Sequence, residues 1–361
     1  MATFITSKSV GQNIQIAVNT STGYWKYQHN GVTSSVFGAG QQTITVANAN
    51  GEFTLIPCLV NGTVSGDITS LQLNSIQLTS FDGTGLSGLT GLDLNGNNLT
   101  SLSGFTFPES LIQLSLMNNQ LTSLSGITFP QNLASLQLYN NQLTEFDGAN
   151  FPNLYNLGLG QNQLTEFYGT GLSSLGELEL STNQLTIFNG NGLVSLYSLW
   201  INENPLETFI GGNMGINYFE PSQWGITTLT TFDVSEMPNL TGLGLGGMQL
   251  TSLSGFTFPE ILTFLDLSNN QLTSFDGTGL SSLTHLYLTN NQLTPQVNNS
   301  ILNKFATYGL ENGYFATSNG RTTVSEVDYQ ELIARGWQLE GLDLVVISSN
   351  KLRIKGVNTS R

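Results

Sequence analysis

Leu92-Asp93-Leu94-Asn95-Gly96-Asn97-Asn98-Leu99-Thr100 is a short phrase that returns along the chain with its leucines and one asparagine in place. It comes back as Leu114-x-Leu116-x-x-Asn119-x-Leu121-Thr122, then with Asn141, Asn162, Asn183, Asn204, Asn270 and Asn291 at the asparagine position. The second apolar residue of each Leu-x-Leu falls at Leu73, Leu94, Leu116, Leu138, Leu159, Leu180, Ile201, Leu245, Leu267 and Leu288, in steps of 21, 22, 22, 21, 21, 21, 44, 22 and 21 residues. A fixed period of this length is the mark of a stacked repeat in which each unit is one coil.

The residue types follow from that geometry. Within Leu-x-Leu the side chains alternate, so both leucines face inward and the residue between them faces out, which describes a short strand. Stacked coils would join these strands into a parallel sheet. The asparagine stands where the chain leaves the strand and turns, and a buried amide there can bond backbone groups of its own coil and the next. Asn97, Asn119, Asn141, Asn162, Asn183, Asn204, Asn270 and Asn291 are therefore expected to form a structural ladder. After it comes Leu-Thr-x-Phe-x-Gly, as in Leu78-Thr79-Ser80-Phe81-Asp82-Gly83 and Leu272-Thr273-Ser274-Phe275-Asp276-Gly277, which reads as a second core layer followed by a tight turn. The return arm, for example Thr84-Gly85-Leu86-Ser87-Gly88-Leu89, is too short and too rich in glycine for a full helix, so irregular or 3₁₀ turns are expected there.

Residues 68–295 match L-x-x-L-x-L-x-x-N-x-L and so resemble the leucine-rich-repeat family. The resemblance implies a solenoid of 21–22-residue leucine-rich repeats, with a parallel β-sheet on a concave face and an irregular or 3₁₀ convex side. It is similar to bacterial-surface and phage virion-associated leucine-rich-repeat proteins, in which a small β-domain precedes the array.

A solenoid must cover its ends. Residues 1–66 read as an N-terminal β-sandwich-like domain, cap or anchor, because Asn13-Ile14-Gln15-Ile16-Ala17-Val18 and Thr43-Ile44-Thr45-Val46 alternate between Gly- and Asn-rich turns. The array is assigned to 67–295, with an irregular insertion at 207–233 inside the one 44-residue step. Residues 296–361 read as a C-terminal α/β cap, with helices over 297–308 and 325–335, Ser325 as N-cap, Gly336 at the second helix's exit, and a last strand over 342–347.

Composition narrows the function. Only 9% of residues are charged, against roughly 25% in an average soluble protein, and 9 Lys and Arg against 24 Asp and Glu leave a net charge of −15. A nucleic-acid partner would meet repulsion where it needs a basic stripe, and no apolar run is long enough to span a membrane. The single cysteine, Cys58, lies in an apolar run and reads as a buried small side chain. The first residues lack the basic-then-apolar layout of a secretory signal, yet the Thr-, Asn-, Ser- and Gly-rich composition suits an exposed protein. Display on a virion or extracellular surface reconciles the two.

Chemistry is scarce. With only His29 and His285, a histidine triad or multi-histidine metal site is not expected; neither a cofactor nor a metal is called for, and the chain reads as no enzyme. Gly242-Leu243-Gly244-Leu245-Gly246-Gly247 sits on the repeat register, which explains it without a nucleotide, and Glu177 with Glu179 reads as a solvated acidic pair. Binding is better supported. The outward positions of the sheet place Tyr139, Glu177, Glu179, Trp200, Phe264, Asp266, His285 and Tyr287 on the concave face, while Tyr218, Phe219 and Trp224 fall in the insertion. Aromatic rings among amides and carboxylates suit a protein or glycan receptor. Gly158 and Gly244 interrupt the stripe. Two functions follow: recognition or adhesion through the concave face, or a purely structural virion decoration or fibre subunit that docks to capsid or tail proteins through residues 1–66.

Overall fold

The protein is represented by a computed structural model that describes side chains over 68–221 and 229–345, and backbone strands within 2–64, 345–348 and 351–354. Cys58 lies outside the described residues. The chain divides into two compact units, Met1–Leu185 with Gly192–Ile201, and Thr186–Asn191 with Asn202–Arg361.

In the first unit the Leu-x-Leu segments form the expected parallel sheet. Ile68–Gln72, Gly91–Asp93, Gln113–Ser115, Ser135–Gln137, Asn156–Gly158, Glu177–Glu179 and Ser198–Trp200 pair in that order. The register brings Leu71, Leu92, Leu114, Leu136, Leu157, Leu178 and Leu199 into one row. At its start, Asn13–Thr20 runs antiparallel to Ile68–Gln72 and pairs in turn with Gly40–Thr45. On the other side of the coil, Leu78–Asp82 pairs parallel with Phe105–Thr106 and antiparallel with Ala2–Thr6. The N-terminal segment thus contributes backbone to both sheets, covering two edges that would otherwise expose unpaired N–H and C=O groups.

The second unit repeats the plan. Tyr218–Phe219, Gly242–Gly244, Phe264–Asp266, His285–Leu288, Tyr314–Thr317 and Gln338–Glu340 form one parallel sheet. Ile187–Asn189, Thr208–Ile210, Thr231–Asp233 and Phe256–Thr257 form another. Two expectations change here. The outer side, expected to be irregular or 3₁₀, carries short parallel strands as well as turns, and a 3₁₀ turn lies in the first unit at Gly148–Asn150. The stretch 207–233, expected as an irregular insertion, supplies strands to both sheets of this unit. Leu206-Glu207-Thr208-Phe209 and Leu229-Thr230-Thr231-Phe232 keep the second core layer, and Phe219 pairs with Leu243 at a position where other coils carry leucine. A count of Leu-x-Leu could not see a coil built with phenylalanine.

The core of this second layer is aromatic. Phe188, Phe209 and Phe232 are fully buried and stack in line, with centroids 5.0 and 5.2 Å apart, and Phe256 follows at 5.5 Å.

The asparagine ladder forms, with one change of direction. Asn141 Nδ2 donates to Leu138 O of its own coil at 2.9 Å and to Leu116 O at 3.0 Å, while its Oδ1 accepts from Leu121 N at 3.0 Å. The partners are its own and the preceding coil, where the expectation was the following one. Asn97, Asn119, Asn162, Asn183 and Asn270 bond alike and are buried, Asn204 is buried too, and Asn291 is partly buried.

The residue before each of these amides has positive φ: Gly96, Asn118, Asn140, Gln161, Thr182, Glu203, Asn269 and Asn290. A side chain longer than Asn is strained there by about 1–2 kcal/mol. Gln161→Gly removes the Cβ at φ 52°. It is expected to raise stability by about 0.5 kcal/mol once glycine's extra unfolded-state freedom is subtracted. A shift in the urea midpoint at unchanged slope checks it, and an unchanged or lower midpoint contradicts it.

The C-terminal residues extend the sheet rather than merely covering it. Helix Pro295–Tyr308 starts two residues earlier than expected, with Pro295 in its first turn, and ends at Gly309 in the left-handed region. Strand Tyr314–Thr317, absent from the sequence reading, then joins His285–Leu288. Helix Glu326–Ala334 leads to Gln338–Glu340, and Phe305 packs on Trp337 at 4.9 Å and edge-on to Phe315 at 6.0 Å. Ser325 precedes the helix but does not cap it; its Oγ bonds Asn299 Oδ1 and Thr322 O. The last expected strand is Val345–Ser348, antiparallel to Lys351–Ile354.

Candidate functional site

In a parallel sheet whose inward row is leucine, the outward rows are free to carry any residue that tolerates water. In the second unit those rows carry rings. Tyr218 lies 6.0 Å from Phe264, Phe264 lies 5.5 Å from Tyr287 and 6.3 Å from His285, and Tyr287 lies 5.2 Å from Tyr314. Tyr218 is 52% exposed, and the remaining rings are half-buried or exposed.

Glycines make this row continuous. A Cβ on Gly242 would stand 2.4 Å from Tyr218 Cδ2, and one on Gly244 would stand 2.9 Å from Glu220 Cγ. Tyr218 and Glu220 therefore lie across the bare backbone of the next strand, and Tyr218 reaches Phe264 two strands away. The glycine at 244, expected to interrupt the stripe, leaves the space that a side chain of the previous coil fills.

Carboxylates border the rings. Tyr314 OH donates to Glu340, and that bond, with some desolvation, pushes the phenol's pKa up to about 12. Desolvation first, then the charges of Glu220 and Asp266, raise Tyr218. Asp266 Oδ1 accepts from Ser268 N at 2.8 Å, which fixes the carboxylate at the end of its strand.

The first unit holds the other predicted residues. Trp200, 47% exposed, Glu177 and Glu179 line a shallow depression of about 280 Å³ with Gln137, Asn156 and Gly158. Tyr139, half-buried, stands 3.0 Å from where a Cβ on Gly160 would be. Both carboxylates are engaged by neighbours: Glu177 accepts from Asn156 and from Tyr197 OH at 2.6 Å, and Glu179 accepts from Ser181 N at 2.8 Å. The pair thus behaves as a hydrogen-bonded acidic patch.

Sequence reasoning missed three exposed or ring-bearing positions. Tyr314 was hidden between two predicted helices. Tyr155 and Tyr197, 50% and 54% exposed, flank Gly176, where a Cβ would come within 2.8 Å of each ring, and their hydroxyls bond at 2.9 Å. The bond to Glu177, and then that to Tyr155, raise the Tyr197 phenol. The signal was present: each precedes its Leu-x-Leu by two residues, outside the rows that alternation assigns to solvent.

Two predicted residues leave the site. Phe219 is a correction: it is buried, stacked on Phe209 at 5.2 Å, because alternation turns it inward when Tyr218 faces out. Trp224 lies outside the described residues. Among the described residues no helix is long and apolar enough to cross a membrane.

Residues 238–293 match the leucine rich repeat family. No curated protein matches the chain. Among solved structures, an internalin from Listeria monocytogenes is 21% identical, with 78% of this chain and 91% of that one covered and a TM-score of 0.41. A leucine-rich-repeat protein of Leptospira interrogans is 22% identical, with 80% and 82% covered and a TM-score of 0.41. A chain of the octameric complex of Latrophilin 3, Unc5D and FLRT2 is 22% identical, with 65% and 84% covered and a TM-score of 0.40.

Proposed function

We propose that this chain, whose residues 238–293 match the leucine rich repeat family, is a non-catalytic recognition or adhesion protein displayed on a virion or cell surface. Its ligand sits on the concave, Leu-x-Leu face of the second unit. The observation that carries this reading is the unbroken row Tyr218, Phe264, Tyr287 and Tyr314 with His285 beside it and Glu220, Asp266 and Glu340 around it. Stacked rings supply rigid apolar area at little entropic cost, and the border of carboxylates selects what may approach. The complementary partner is a protein receptor that presents apolar side chains ringed by lysine or arginine. Residues 1–66 serve to cap the array and to attach it to its carrier.

Tyr218→Ala with Tyr287→Ala removes two rings that face solvent and leaves the leucine row intact. Binding of the labelled protein to intact cells, to arrayed cell-surface proteins and to a glycan array is the measurement. A drop of about tenfold or more in binding to cells and to one class of array is the expected result. Signals unchanged from the parent protein would overturn the reading. The arrays also separate a protein ligand from a glycan, because only one of them should lose its signal.

A further inference from the structure

The outer side of the first unit is not uniform. Parallel strands stop at Phe105–Thr106 and resume at Glu166–Tyr168, and between them residues 122–130 and 143–152 form no strand. A groove of about 680 Å³ opens there. Phe129 and Phe151 are its buried floor, half-buried Leu124, Ile127 and Phe146 form its walls, and the carboxylates of Glu145, Asp147 and Glu166 stand at its rim with Tyr168.

The second unit carries a copy of this groove, of about 600 Å³. The reason is in the sequence: Leu121-Thr122-Ser123-Leu124-Ser125-Gly126-Ile127-Thr128-Phe129-Pro130 differs from Leu250-Thr251-Ser252-Leu253-Ser254-Gly255-Phe256-Thr257-Phe258-Pro259 only in Ile127 for Phe256. Each is followed one coil later by Phe-Asp-Gly, so Asp147 of the first groove corresponds to Asp276 of the second. In the second groove the protein fills that position itself. Lys304, reaching over from helix Pro295–Tyr308, bonds both Asp276 Oδ1 and Thr278 Oγ1, and its side chain is only 25% exposed.

Among the described residues no such cation reaches the first groove. The chain has no lysine or arginine between Lys26 and Lys304, so the whole array, with its acidic residues, is without a positive side chain of its own. From the matched grooves and this one-sided charge we infer that the first groove is a docking site for a protein segment that carries lysine between apolar side chains. The lysine takes the place at Asp147 that Lys304 takes at Asp276, with Glu145 and Glu166 alongside, and the apolar neighbours lie on Leu124, Ile127 and Phe146. Apolar contact gives the affinity, and the carboxylate rim gives selection against acidic segments.

The test uses the full chain and a labelled peptide in which lysines are spaced between leucines, with a glutamate-for-lysine peptide as control. The lysine peptide is expected to bind with one copy per chain and to slow amide exchange at 123–129 and 144–151, while the control does not bind. Asp147→Asn with Glu166→Gln keeps the acceptors that serve Ala149 N and Tyr168 OH and removes the charge. It should weaken the peptide about tenfold at low salt with an unchanged thermal transition. Lys304→Ala vacates Asp276, and the stoichiometry should rise from one peptide to two. Equal affinity for the charge-neutral variant, protection at other residues, or a single peptide on the Lys304→Ala chain would each overturn the inference.

Discussion

Phe209→Ala is expected to lower the stability of the second unit by about 4 kcal/mol. The ring has no solvent exposure and sits among three others, Phe188 at 5.0 Å, Phe219 at 5.2 Å and Phe232 at 5.2 Å. Alanine forfeits the transfer energy of a buried aromatic and leaves a void that stacked rings on fixed strands cannot close, since backbone hydrogen bonds hold the strands at their spacing. Leucine at the same place keeps most of the volume and should cost only about 1 kcal/mol. Urea unfolding followed by Trp and Tyr fluorescence would show the difference as a large midpoint shift for alanine and a small one for leucine. Equal shifts for the two would mean that the void is not what sets the cost. Because a repeat array is stabilised by neighbouring interfaces, amide exchange should accelerate in the coils on either side of Phe209 before it does elsewhere in the unit.

Asn141→Ala should be nearly as damaging for an unrelated reason. The amide is the partner of Leu121 N, which its removal strands, and it supplies one of two bonds to Leu116 O and to Leu138 O, which keep those from Asn119 and Asn162. With one buried donor left without a partner at about 1–3 kcal/mol and two further bonds forfeited at about 0.5–1.5 kcal/mol each, the loss is about 3 kcal/mol in the first unit. Asn141→Asp is a sharper version: the acceptor survives, but a carboxylate oxygen then faces two carbonyl oxygens, and the penalty should fall when the acid is protonated at low pH. The same alanine substitution at Asn291, which is only partly buried, should cost less because water can reach the stranded groups. An Asn291→Ala loss equal to that of Asn141→Ala would contradict the burial argument.

How much of this could be read in advance depends on whether a position is set by the coil or by its neighbours. Leucine rows and asparagine positions were legible because every coil imposes the same alternation and the same turn, so a period exposes them. Phe219 and the strands at Thr208–Ile210 and Thr231–Asp233 were not, because phenylalanine fills a leucine site and breaks the written pattern while preserving the packing. Tyr314–Thr317 was missed since four residues between two helices give too short a run to display a period. Of the site, Phe264, Asp266, His285 and Tyr287 were named from alternation, and Tyr218 only as part of the insertion. What alternation could not supply was reach: Gly242 and Gly244 looked like gaps, and only the positions of Tyr218 and Glu220 show that a gap in one strand is room for its neighbour's side chain.

The direction of the amide ladder sets an order of events during synthesis. Each asparagine completes the coil before its own, so a coil leaving the ribosome holds unanswered turn groups until the next has been made. A chain cut within the array is therefore expected to fray from the cut toward its N-terminal neighbours. After His285–Leu288 the sheet continues with Tyr314–Thr317, and Ser318 Oγ accepts from Asn290 N at 2.9 Å where an earlier coil uses a backbone carbonyl, as Gly160 O does for Asn140 N. A chain stopped short of residue 318 would lose that acceptor and leave Asn290 N open, just as trimming the start would bare the edges that Ala2–Thr6 and Asn13–Thr20 cover.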